Sequence, residues 1–139
     1  MRTLGLDVGD KRIGVAISDP DEILASPLIT VPREDDDRAI DAIVKLVDRY
    51  EVKRIVVGLP YSMDGGVSKQ AASVMDFVGK LCRCTRTKIE LRDERLSTVA
   101  AERLLTQAGA RRVAVKSRRD AAAAAFVLQG YLDSLKVQE

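Results

Sequence analysis

The chain has 139 residues, 46% of them hydrophobic and 32% charged, enough for one domain with an ordinary core and too apolar for a disordered chain. It contains no histidine, which excludes Ser-His-Asp and Cys-His nucleophilic schemes and removes the commonest zinc ligand. The net charge of +2 hides an asymmetry: residues 80–119 hold twelve Lys and Arg against four acids, which leaves +8 there and −6 elsewhere.

From the N-terminus, "LGLDVGDKRIGVAISD" at 4–19 sets two β-prone runs around a Gly/Asp break and predicts a hairpin with strands over 3–8 and 13–18. Asp7 sits in the first run between apolar neighbours. A carboxylate there needs a cation, a donor or a metal to offset its desolvation, so it is either a buried acid accepting backbone N–H bonds or a ligand. No apolar run reaches the ~18 residues of a membrane span, and the N-terminus lacks the basic-then-apolar plan of a signal peptide. A cytoplasmic protein is the expectation.

A third strand is predicted over 27–31, between Pro27 and Pro32. Asp35, Asp36 and Asp37 then open a helix over about 36–50, where the helix dipole favours acids, and its core stripe is Ile40, Ile43, Val44 and Val47. "RIVVGLP" at 54–60 reads as a buried strand. "YSMDGG" follows, a loop whose free amides are a weak candidate for an anion cradle. A helix over 67–83 buries Ala71, Val74, Met75, Val78, Leu81 and Cys82. Its Cys82 and Cys84 fit neither a disulfide nor a zinc framework and read as reduced thiols.

"KIELRDE" at 88–94 is the last predicted strand, and a helix over 97–108 stops at Gly109. After a basic stretch at 111–119 the final helix runs over about 118–135, with Ala121, Ala125, Leu128, Leu132 and Leu135 inward. The order is βββ-α-β-α-β-α-α, a single domain over 1–139 with a mixed sheet flanked by helices. Because ligands gather outside the carboxyl ends of strands in such sheets, Asp7, Asp93, Glu94 and Asp120 can converge on one edge. Without histidine, clustered carboxylates are the environment Mg²⁺ or Mn²⁺ prefers. Each has a plainer reading: Asp93 and Glu94 as a solvated strand end, and Asp120 as part of a capping box in "SRRD", three residues after Ser117. The basic segment, with Arg118 and Arg119, fits a phosphate backbone or a solvated face. Lacking any aromatic residue, it offers no stacking platform for single strands.

"LGLDVGDKRIGVAISD", "VVGLPYSMDGG", "DERLST" at 93–98 and "KSRRDAAAAAFVLQGYLD" at 116–133 together resemble the YqgF family, relatives of the RuvC-type junction resolvases in the ribonuclease-H-like superfamily. The resemblance implies an α/β ribonuclease-H-like fold with a five-stranded mixed sheet, three antiparallel strands followed by two parallel ones. It implies an acidic triad of Asp7, Glu94 and Asp120 holding two Mg²⁺ or Mn²⁺ ions, with Lys11, Arg12, Arg95 and Lys116 at basic positions suited to phosphates. The function it implies is a metal-dependent endonuclease, in the first place one that processes the precursor of 16S ribosomal RNA. Two alternatives stand beside it, a Holliday junction resolvase acting on four-way DNA and a nucleic-acid-binding module without catalysis. The "D-x-G…G-V-A-I" opening also occurs in actin and sugar-kinase folds, which need two such domains. The expected partner is nucleic acid, structured RNA before branched DNA, and the expected state is a monomer or weak homodimer.

Overall fold

The computed structural model describes residues 1–59, 69–93 and 112–137. Its elements are β1 (Arg2–Val8), β2 (Arg12–Ser18), β3 (Ala25–Pro32), α1 (Asp36–Arg49), β4 (Val52–Leu59), α2 (Lys69–Cys84), β5 (Lys88–Asp93) and α3 (Arg112–Val137). The five strands form one sheet in the order β3-β2-β1-β4-β5. β2 is antiparallel to both β1 and β3, while β4 runs parallel to β1 and β5 parallel to β4. This is the mixed sheet expected from the sequence.

The alternation along β1 separates the two faces. Leu4, Leu6 and Val8 point to one side, where Ile13, Val15, Ile55 and Val57 join them in a core closed by α1 and α2. Helix α1 supplies Ala39, Ile40, Ile43 and Val47, close to the expected stripe. On α2 the buried set is Ala71, Val74, Phe77, Val78 and Leu81. Met75 and Cys82, expected inward, are exposed, because the stripe follows the 3.6-residue period through Phe77 instead.

The opposite face is covered by α3. Ala16 and Val56 pack there against Ala124, Val127, Leu128, Tyr131 and Leu132, and each large apolar side chain so buried contributes about 1.5–3 kcal/mol. Small residues let the helix come close. A Cβ on Gly5 would stand 2.8 Å from Leu128 Cβ, and one on Gly14 would stand 1.8 Å from the Asp120 carbonyl oxygen.

The start of α3 differs from the expectation. The helix begins at Arg112 and not near 118, so residues 112–119 of the basic stretch are helical and Asp120 lies more than two turns inside the helix. No glycine or proline interrupts 112–129, so nothing in the chain breaks the helix before Asp120. The capping-box reading of Ser117 and Asp120 is thereby corrected, since a helix-interior residue has no N-terminal amides to cap. The true cap is at α1, where the Asp35 side chain accepts from the Asp37 amide at 2.9 Å. The predicted helix over 97–108 and the "YSMDGG" loop lie outside the described residues.

Candidate functional site

The site is built on the tight turn between β1 and β2. The Gly9 amide donates to the Arg12 carbonyl at 2.8 Å, leaving Asp10 and Lys11 as the loop. A Cβ on Gly9 would meet the Arg12 carbonyl oxygen at 2.7 Å, so this turn requires glycine. The break seen in the sequence is thus a two-residue hairpin connection.

Asp7 is the last but one residue of β1 and pairs across the strands with Gly14. Directly opposed residues of an antiparallel pair point to the same face, with Cβ positions about 4.5–5.5 Å apart. That face is the one α3 covers, and the backbone of Asp120 rests on Gly14 itself. The missing side chain at 14 therefore brings the Asp7 position and the Asp120 backbone side by side. Leu6 and Val8 remain in the opposite core, which is why an acid is accommodated within an apolar run.

Arg12 opens β2 and reaches across to α3, where its Nε donates to Asp120 Oδ2 at 2.8 Å. The two side chains are 36% and 20% exposed, so the pair is half-sheltered and accessible from solvent. A cleft of about 260 Å³ lies over it, lined by Gly9, Asp10, Lys11, Arg12 and Asp120. Lys11 and Arg12 thus line the same cleft as Asp120. Asp10, read in the sequence only as part of the Gly/Asp break, joins this lining.

β1, β4 and β5 run parallel, so their carboxyl ends share one edge. Leu6 pairs with Val57, and Leu59 pairs with Asp93, which puts the end of β5 at the edge that holds Asp7. Glu94 and Arg95 follow and lie outside the described residues. Lys116, Arg118 and Arg119 are on the first turns of α3, and their side chains also lie outside the described set. Among the described residues no three His, Cys, Asp or Glu side chains gather into a metal-sized group. The metal donors that the described residues supply there, the carboxylates of Asp7, Asp10 and Asp120, are oxygens of the kind a hard divalent cation takes.

The turn is held from its other side by a residue that sequence reasoning passes over. Arg33, just past β3, donates through Nη1 to the Gly9 carbonyl at 3.0 Å. Its nearest charge partner is Asp36, with Nε to Oδ1 at 2.9 Å. Hydrogen bonding from Arg33 holds the Asp36 carboxyl below its ordinary range, and Lys80 at 3.1 Å adds to this against the opposing effect of burial. Nothing local in the sequence announces this residue, because Ser73 and Phe77, its other partners, lie far along the chain. Gly14 does carry a signal, since a glycine inside a strand often marks close backbone approach.

Comparison with known proteins shows the family. The sequence profile of the RuvX family, described as Holliday junction resolvase, matches residues 1–134. A protein of Chloroflexus aggregans (strain MD-66 / DSM 9485), named as a candidate pre-16S rRNA nuclease, is 46% identical over 131 residues, which cover 94% of this chain and 92% of the relative. Among solved structures, the fowlpox virus Holliday junction resolvase aligns with a TM-score of 0.60 at 15% identity, covering 97% of this chain and 99% of that one. T. thermophilus RuvC in complex with a Holliday junction substrate aligns at 0.59 and 14% identity, covering 98% and 96%. At such identities these two structures speak for the fold alone. Among the described residues no helix is long and apolar enough to cross a membrane.

Proposed function

Because the chain belongs to the RuvX family of Holliday junction resolvases, we propose that it is a metal-dependent nuclease whose substrate is the precursor of 16S ribosomal RNA. The observation that supports this reading is the seating of α3 on Gly14 of β2, the residue opposite Asp7 of β1, next to a cleft lined by Asp120, Lys11 and Arg12. The choice of substrate follows the name of the C. aggregans relative, which this chain matches over nearly its whole length.

In this reading Asp7, Asp120 and Glu94 hold Mg²⁺ or Mn²⁺. Two such ions, when bound, activate water and stabilise the leaving oxygen of a phosphodiester. The rest is done by the chain. Lys11 and Arg12 on the turn, Lys116, Arg118 and Arg119 on α3, and Arg95 after β5 grip phosphates and set the backbone over the carboxylates. Arg12 has a second task. Paired with Asp120 it offsets part of the repulsion between neighbouring carboxylates, and on release it becomes a donor for a phosphate oxygen.

A second reading, resolution of four-way DNA junctions, is favoured by the family description. The deciding experiment incubates the protein with Mg²⁺ or Mn²⁺ and either precursor 16S rRNA or a four-way DNA junction. Cleavage of the RNA, abolished in Asp7→Asn and Asp120→Asn variants that fold normally, is the expected result. Cleavage of the junction alone supports the second reading. Full activity in Asp7→Asn removes the carboxylate site altogether, and binding without cleavage of either substrate supports a non-catalytic module.

A further inference from the structure

Arg33 keeps only 8% of its side chain exposed, a degree of burial that a cation reaches only when its donors are met. Beyond Asp36 and Gly9, its Nη1 donates to Ser73 Oγ at 3.0 Å and its Nη2 to the Ser73 carbonyl at 3.3 Å. The guanidinium carbon stands 5.2 Å from the centre of the Phe77 ring, within the range of a cation–π contact. The Arg33 backbone amide donates to the Lys11 carbonyl at 2.8 Å. One residue thus holds two carbonyls of the β1–β2 turn, Gly9 and Lys11, while bracing on α1 through Asp36 and on α2 through Ser73 and Phe77.

Stability alone does not call for this arrangement. A buried ion pair is often matched or exceeded in stability by apolar side chains of similar volume, and the core on this face is otherwise apolar. What the guanidinium supplies and an apolar group cannot is direction: several donors in a rigid plane, divided among the turn, α1 and α2. The turn so fixed carries Arg12, whose pairing with Asp120 at 2.8 Å depends on where β2 begins.

We propose that Arg33 is a positioning residue, clamping the β1–β2 turn against α1 and α2 so that Arg12 and Asp7 meet Asp120 in register. Its consequence for cleavage rests on the nuclease reading above, whereas its hold on the turn does not. The test compares the full chain with Arg33→Lys, which keeps the charge but loses the planar fork, and with Arg33→Met, which keeps the stem over Phe77. Amide hydrogen exchange is followed at Gly9 in the turn and at Leu6 in the centre of β1, alongside kcat and KM on precursor 16S rRNA with Mn²⁺. The expected result is at least tenfold faster exchange at Gly9 relative to Leu6, and a kcat at least tenfold lower with KM within about twofold. Ser73→Ala, which removes only one acceptor, moves both readouts in the same direction by less and keeps the test open if the Arg33 variants fail to fold. Exchange rising equally at Gly9 and Leu6, or an unchanged kcat, overturns the proposal by making Arg33 a purely stabilising residue. Should the parent chain cleave neither RNA nor DNA, the nuclease reading falls, and the Gly9-to-Leu6 ratio alone decides the role of Arg33.

Discussion

Two glycines show how much one methyl group can mean in different places. At Gly14 the added Cβ would lie 1.8 Å from the Asp120 carbonyl oxygen, a backbone atom that cannot rotate away. Gly14→Ala must push α3 off the sheet, and overpacking of this kind costs about 1–3 kcal/mol or more. At Gly79, inside α2, nothing stands within 4 Å of the added atom. Gly79→Ala removes backbone freedom from the unfolded chain and is expected to gain about 0.5–1 kcal/mol. Urea unfolding of both variants checks the pair: opposite signs are expected, and a stable Gly14→Ala would mean that α3 does not rest on β2. A glycine inside a strand hints at close backbone approach, whereas one inside a helix does not. What packs above each of them is set by distant residues and is not written locally.

Helices α1 and α2 are joined by charge as well as by apolar packing. Asp36 at the start of α1 takes Arg33 at 2.9 Å and Lys80 of α2 at 3.1 Å, and Lys80 also meets Asp76 at 3.3 Å. The acids at the head of α1 are legible in the sequence. Asp35 is the cap, while Asp36 does more than favour the dipole, because its partners come from outside the helix. Hydrogen bonding from Arg33 holds the Asp36 carboxyl below its ordinary value, so the unfolded chain binds this proton at higher pH than the folded one. The resulting stabilisation is complete above the ordinary carboxylate range and is lost as pH falls below about 4. Urea titrations from about pH 7 to about pH 2 should give a shallower acid loss of stability in Asp36→Asn than in the parent chain, with lower stability at neutral pH. Equal acid slopes would exclude Asp36 as a contributor. The strands and most helix faces are legible because their periodicities are local. The start of α3 is not, for a related reason: a run of basic residues resembles a loop in composition, yet nothing in it breaks a helix.

For the molecule as a whole, the charge asymmetry becomes a binding surface on the nuclease reading, with Lys116, Arg118 and Arg119 on the turns of α3 that precede Asp120. Affinity for duplex nucleic acid should fall linearly with salt on logarithmic axes, and changing Arg118 and Arg119 to Ala should flatten that slope by about 2, roughly one for each phosphate no longer neutralised. Fluorescence anisotropy across a salt series measures it, and an unchanged slope returns both residues to the solvated surface. The salt bridge from Arg12 to Asp120 spans 108 positions of the chain, and this has a consequence in time. Pairings so distant in sequence are slow to form, since a long loop must close first. In vectorial synthesis the hairpin carrying Asp7 is made before the helix that brings Asp120 to it. A half-made chain therefore has one carboxylate in place and not its counterpart. On the nuclease reading, such a chain lacks part of its carboxylate site until α3 has been made and has docked on β2.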